Sequence, residues 1–180
     1  MRKIYTLQVK TRSEDKYIRL FRLRHQHLPF TLHAPLRRMP IRRNGKIIQE
    51  SSVIFPGYVF VETGDEDDFL MFKSIFRGIT GFSRFLRNNQ NIRPLEGRDL
   101  KLVLHFIRKT NPIAGLSRVY FNEQARIEVI DGPLLGLEGK IIKVDKRKGR
   151  AKIKLDLYDD SFSIDLPFEL IDRASGSICG

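Results

Sequence analysis

Between Ala151 and Tyr158 the chain alternates without a break. Ala151, Ile153, Leu155 and Leu157 interleave with Lys152, Lys154, Asp156 and Tyr158. A two-residue period places one set of side chains on each face of a strand, a segregation that a helix cannot achieve. The apolar face needs covering, and short segments of the same kind lie nearby. They run from Arg126 to Ile130, Gly139 to Val144, Arg150 to Leu157 and Ser161 to Leu166. About 55 residues built this way predict a small closed β-barrel, which buries only ~60% of its unfolded surface and has little stability to spare. The clean alternation also predicts a barrel that does not refold into helix.

The first 110 residues read differently. Ile4 to Lys10 alternates as a strand, with Tyr5, Leu7 and Val9 on one face. Ser13 is a good N-cap, and Glu14 and Asp15 suit the positive end of a helix running to about His27. That helix would bury Tyr17, Leu20 and Phe21 and present Lys16, Arg19 and Arg22. Two extended segments, about 31–39 and 46–54, flank Arg42-Arg43-Asn44-Gly45-Lys46. Asn-Gly tolerates positive φ at both positions and predicts a hairpin with a cationic tip. Pro56 to Glu62 is the next strand. Asp65-Glu66-Asp67-Asp68 before Phe69, Phe72 and Phe76 predicts a helix start, with Gly78 as its C-cap. Its spacing lacks the pattern of a calcium loop. Gly78 to Phe85 predicts a turn and a short strand. Leu100, Val103, Leu104 and Ile107 are spaced for a helix over 96–109. Asn-Pro and Ala-Gly between Thr110 and Ser117 have linker composition. The expected domains are therefore 1–110 and 122–173, joined by a linker over 111–121.

Charge separates the same two regions. The formal net charge is +12. Residues 1–110 hold 22 Lys/Arg and 10 Asp/Glu, and residues 111–180 hold 11 of each. An excess confined to one region points to a polyanionic partner, most often nucleic acid. In the second region, net zero hides polarity. Lys140, Lys143, Lys146, Arg147, Lys148, Arg150, Lys152 and Lys154 stand against Asp145 alone over 140–154. Asp156, Asp159, Asp160 and Asp165 follow as a separate acidic group. A basic hairpin on a small β domain can track phosphates. No apolar run approaches the roughly 20 residues that span a bilayer. The N-terminus lacks a signal-peptide core, and a lone Cys179 supports neither a disulfide nor a Cys-rich zinc site. The expectation is a soluble cytoplasmic monomer without membrane association.

Two motifs carry the functional reading. Phe55-Pro56-Gly57-Tyr58-Val59 precedes Asp131-Gly132-Pro133 with Gly136 and Gly139, and Gly78-Ile79-Thr80-Gly81-Phe82 lies between them. In this order, with Tyr5 in the opening strand, they resemble the NusG family of transcription elongation factors across most of the chain. The resemblance implies an α+β protein: an N-terminal α/β sandwich with an antiparallel sheet flanked by helices, then a small SH3-like β-barrel of the KOW type. It implies that RNA polymerase is a partner, gripped at its clamp helices by an apolar patch to which Tyr5, Phe55 and Tyr58 are assigned. It also places the hairpin of Arg42, Arg43 and Lys46 near the transcription bubble. Leu134 and Tyr158-Asp159-Asp160 depart from ordinary NusG, which has phenylalanine and Phe-Gly-Arg there. The stretches 131–139 and 145–151 look more like the specialised paralog LoaP, a processive antiterminator that recognises an RNA hairpin. The candidate nucleic-acid residues are Lys16, Arg19, Arg22, Arg42, Arg43, Lys46, Lys143, Lys146, Arg147, Lys148 and Arg150. Their partner is an RNA hairpin, non-template DNA or both.

Catalysis is not expected. His25, His27, His33 and His105 lack partners at ligand spacing, and no phosphate-cradling loop or nucleophile motif occurs. No metal and no cofactor are expected. The rival reading is a ribosome-associated KOW-type RNA-binding protein, which accounts for the charge but not for Phe55-Pro56-Gly57-Tyr58.

Overall fold

The computed structural model describes residues 2–64, 66–86, 92–109, 113–158 and 160–171. Asp65, Thr110, Asp159, Cys179, residues 111–112 of the expected linker and the end of the expected barrel span, 172–173, lie outside the described residues. In chain order the elements are β1 (Lys3–Val9), α1 (Glu14–His25), β2 (Thr31–His33), β3 (Leu36–Arg43), β4 (Lys46–Val53) and β5 (Tyr58–Thr63). There follow α2 (Glu66–Met71), α3 (Lys73–Arg77), β6 (Phe82–Phe85), α4 (Gly97–Lys109), β7 (Ile113–Ala114), β8 (Ser117–Phe121) and β9 (Ile127–Asp131). A 3-10 turn at Glu138–Lys140 precedes β10 (Ile141–Asp145), β11 (Arg150–Leu157) and β12 (Asp160–Leu170). Among the described residues, no helix is long and apolar enough to cross a membrane. The chain divides into two compact units: residues 1–34 with 55–101, and residues 35–54 with 102–180.

The first unit is built on a four-stranded antiparallel sheet in the order β2-β5-β1-β6. Its core is aromatic. Phe76 stacks on Phe21 at 5.1 Å and on Phe69 at 5.1 Å, and meets Phe30 edge-on at 5.2 Å. Offset and edge-on ring pairs of this kind are favoured beyond the area they bury. The Tyr17 hydroxyl donates to the Phe76 carbonyl at 2.7 Å, and burial pushes the phenol's pKa upward.

Several local expectations change here. Ser13 stands at the N-cap of α1 but makes no side-chain cap hydrogen bond. The acidic run does not open one helix: α2 and α3 are separate, broken at Phe72 (φ −95°, ψ 9°). Gly78 is the C-cap of α3, in the right-handed region. The segment expected over 31–39 splits, so that only Thr31–His33 joins the β5 edge of this sheet.

The second unit contains the hairpin. β3 and β4 pair from Leu36↔Val53 to Arg43↔Lys46 across a two-residue turn. Asn44 (φ 50°) and Gly45 (φ 76°) both adopt the left-handed conformation that the Asn-Gly signal requires. The hairpin forms a three-stranded sheet with the parallel strand β7. The other sheet has five strands in the order β10-β11-β12-β8-β9. Burial along β11 follows the alternation: Ala151, Ile153, Leu155 and Leu157 are all sealed. Residues 117–121, expected as linker, are strand β8, parallel to β12 and antiparallel to β9. Ser117 is buried, and its Oγ accepts the Leu134 N–H at 3.0 Å. A Cβ on Gly132 (φ +91°) would lie 2.6 Å from the Ser117 Cα, so only glycine lets the turn approach β8 this closely.

Candidate functional site

The Phe-Pro-Gly-Tyr turn is held from three sides. Gly57 has φ +84°, and a Cβ there would meet Thr11 Oγ1 at 3.2 Å and the Val9 carbonyl at 3.4 Å. The Val9 N–H donates to the Gly57 carbonyl at 2.8 Å, and the Tyr58 N–H donates to the Phe55 carbonyl at 3.1 Å. The Gly57 N–H donates to Glu14 Oε1 at 2.6 Å. Glu14 is buried, although it lies in the first turn of α1, where a charged side chain ordinarily faces water. Its carboxylate is spent on this turn rather than on capping its own helix.

The aromatic residues assigned to the polymerase patch are core residues. Tyr5 is 0% exposed and its ring lies parallel to Phe69 at 3.9 Å. Phe55 is 1% exposed and meets Phe60 edge-on at 5.2 Å. Tyr58 is 6% exposed. Rings sealed to this degree cannot serve as outward contacts. The reason is physical: β1 and β5 bury consecutive residues, so both faces of each strand are covered around Tyr5 and Tyr58, and Phe55 is packed into the turn between β4 and β5.

The cationic expectations divide. Lys16, Arg19 and Arg22 are exposed on α1 in the first unit. Arg42, Arg43 and Lys46 are exposed around the hairpin tip in the second. In the turn between β10 and β11, Asp145 organises the backbone by accepting the Lys148 N–H at 3.0 Å. Its carboxylate also lies 3.8 Å from Lys148 Nζ. The Lys146 ammonium sits 3.7 Å from the centroid of the Phe121 ring, a cation–π contact. Lys143 and Arg147 are exposed. Arg150 is only partly exposed, and its guanidinium donates to the Pro40 carbonyl. Its Nε is buried with no acceptor among the described residues. Arg150 is thus a cross-element tie as well as a cation.

A second tie lies beside it. The Arg37 guanidinium donates to the Asp165 carbonyl and, through Nε, to Ser52 Oγ at 3.1 Å. Burial lowers the Arg37 pKa, and the Arg150 charge adds to that lowering while Asp165 opposes it. Asp165 pairs with Lys152 in register and lines a depression with Lys143, Asp145, Lys148, Arg150 and Lys152. It therefore stands among the cations, not in a separate acidic group.

The hairpin and the β10–β11 turn meet at one groove of about 460 Å³, lined by Pro40, Ile41, Arg42, Ile47, Arg147, Lys148 and Arg150. Four of the eleven candidate cations are brought together here. Arg43 and Lys46, nearer the tip, do not line it. Sequence reasoning missed the apolar lining. The signal was Ile47-Ile48 in a hairpin arm: neighbours on a strand face opposite sides, so one of two adjacent isoleucines must point outward. Both are exposed, Ile47 to 70%. Glu14 left no such signal, because an acidic residue in a first helical turn is ordinary.

Residues 2–104 match the family described as "NusG: Transcription termination factor nusG". The "Transcription termination/antitermination protein NusG" of Bacillus subtilis (strain 168) is 27% identical over 135 residues, 73% of this chain and 72% of the relative. The protein of the same description from Thermus thermophilus is 24% identical over 140 residues, 74% of each. A solved structure titled "Domain interaction in Thermotoga maritima NusG" aligns with 93% of this chain and 94% of its own, at 14% identity and a TM-score of 0.47. The family match spans more than half of the chain, including the β1 strand and the Gly57 turn. This chain belongs to the NusG family of transcription termination/antitermination factors.

Proposed function

We propose that this protein is an operon-specific elongation and antitermination factor, nearest in kind to LoaP. Its N-terminal domain, residues 1–110, docks on the clamp helices of RNA polymerase and suppresses pausing and termination. A KOW domain that begins with β8 at Ser117 follows it, and basic surfaces contact nucleic acid, foremost a leader RNA hairpin. Tyr5, Phe55 and Tyr58 shape the docking surface from beneath rather than touch the partner. The observation that carries this reading is the family match over residues 2–104, which spans the rigidly held turn at Gly57. The exposed cations on α1, the hairpin tip and the β10–β11 turn support the nucleic-acid part. Each cation that meets a phosphate releases counterions, so affinity should fall by roughly 0.7–0.9 log units per neutralised phosphate for each log unit of salt.

The test is copurification of the tagged full chain with core RNA polymerase, set against copurification with ribosomal RNA. Enrichment of polymerase is the expected result. Ribosomal RNA without polymerase would replace this reading with that of a ribosome-associated RNA-binding protein. A gel shift with leader RNA and with single-stranded DNA of matched sequence then separates the two loading signals.

A further inference from the structure

The two basic elements that the sequence places in separate domains line one groove. We propose that this groove is a single binding site for a single-stranded RNA segment, with the β3–β4 hairpin as one jaw and the β10–β11 turn as the other. The proposal rests on the nucleic-acid contact proposed above and assigns it a place.

Two ties hold the jaws in register. The Arg150 guanidinium donates from β11 to the Pro40 carbonyl, and the Arg37 guanidinium donates from β3 to the Asp165 carbonyl on β12. Pro40 has no N–H of its own, and among the described residues β7 pairs only with Leu36 and Arg37. Its stretch of β3 is thus left to meet the barrel strands. Hydrogen bonds from ionised donors are the stronger kind. The groove between the jaws is therefore preformed rather than dependent on two independent loops converging.

Its lining selects the ligand. Arg42, Arg147, Lys148 and Arg150 suit a run of phosphates. Pro40, Ile41 and Ile47 suit no phosphate. Arg42 lies directly across the ladder from Ile47, so the hairpin presents a cation and an apolar side chain next to each other on one face. That juxtaposition matches a nucleotide, charged on its phosphate and apolar on its base face. A duplex hides its base faces in the stack, whereas single strands splay them out. β4 is the edge of its sheet, so half of its backbone groups face away from β3 and can meet a ribose 2′-hydroxyl. The apolar lining is aliphatic, not aromatic, so the site should tolerate sequence changes and stack bases weakly.

The test is fluorescence anisotropy of the full chain with a labelled single-stranded RNA of about 12 nucleotides over a range of salt. We expect one RNA per chain. Arg42→Ala and Arg147→Ala should each raise Kd about fourfold near 0.15 M salt and reduce the salt slope by about 0.7, and the double variant should raise Kd about fifteenfold. Ile47→Ala should weaken binding without changing the slope, a signature that a purely electrostatic surface would not give. Arg98→Ala, an exposed cation of α4, should leave binding unchanged. All four side chains are exposed, so thermal unfolding should match the parent. RNA binding that survives Arg42→Ala with Arg147→Ala would overturn the groove while leaving nucleic-acid contact elsewhere intact. Two binding events, each lost to one substitution, would refute the shared site. DNA of the same sequence bound as tightly would refute the assignment to RNA. No RNA binding at all would overturn both this site and the nucleic-acid contact it rests on.

Discussion

Glu14→Ala is the sharpest test of how the Phe-Pro-Gly-Tyr turn is held. Glu14 is 2% exposed and accepts the buried Gly57 N–H at 2.6 Å. A hydrogen bond to an ionised group contributes about 1.5–3 kcal/mol, including the cost of leaving its partner unsatisfied. Loss of a negative charge from the first turn of α1 adds about 0.3–1 kcal/mol. Glu14→Ala should therefore cost about 2–4 kcal/mol, a large fraction of a typical total stability of about 5–15 kcal/mol. Glu14→Gln keeps an acceptor oxygen of nearly the same reach and loses only the charge, so it should cost about 1 kcal/mol. Urea unfolding at neutral pH reads the difference. With an m-value of about 2 kcal/mol/M, the alanine variant should lose 1–2 M of midpoint. Because the chain has two units, native-state hydrogen exchange at Gly57 gives the local reading. Its amide should lose protection in the alanine variant and keep most of it in the glutamine variant. Equal midpoints for the two variants, or a Gly57 amide still protected in Glu14→Ala, would refute the argument.

Other consequences follow from the same physics. Gly132→Ala should destabilise the second unit by at least ~2 kcal/mol, since it combines a left-handed alanine with a Cβ 2.6 Å from the Ser117 Cα. Gly139→Ala, which meets nothing within 4 Å and needs no left-handed backbone, should be close to neutral in the same unfolding assay. Phe76→Ala should cost about 3–5 kcal/mol, because it empties the centre of the ring cluster, and Phe76→Leu should cost clearly less. Glu62 is desolvated by burial, but hydrogen bonds from His33 at 3.0 Å and from Arg2 at 3.3 Å outweigh that and hold its pKa below the usual carboxylate value. A carboxylate depressed in the folded state stabilises above its unfolded pKa and loses that contribution as pH falls through the folded value. The urea midpoint should therefore fall below about pH 4.5, and Glu62→Gln should flatten that fall.

Much of the local structure was legible from residue order alone. The strand at Ala151 to Leu157, the Asn44-Gly45 turn and the helix over 97–109 all follow from periodicity or from a φ requirement that neighbours cannot override. Those signals concern a residue and the few beside it. The boundary of the linker was not legible. Ser117 to Phe121 lies just after Ala-Gly, and only its pairing with β9 and β12 makes it a strand. The separation of α2 from α3 at Phe72 has no counterpart in the acidic run before it.

Composition and motif order suffice to mark a basic protein of two regions with a NusG-like signature, because charge excess and turn chemistry are local and additive. Whether a given ring or cation is available to a partner is neither. Tyr5 and Tyr58 are sealed on strands buried on both faces and Phe55 in the turn between β4 and β5, and burial belongs to the packed whole. The groove exists because Arg37 and Arg150 tie residues more than a hundred positions apart, a distance over which no periodicity carries information.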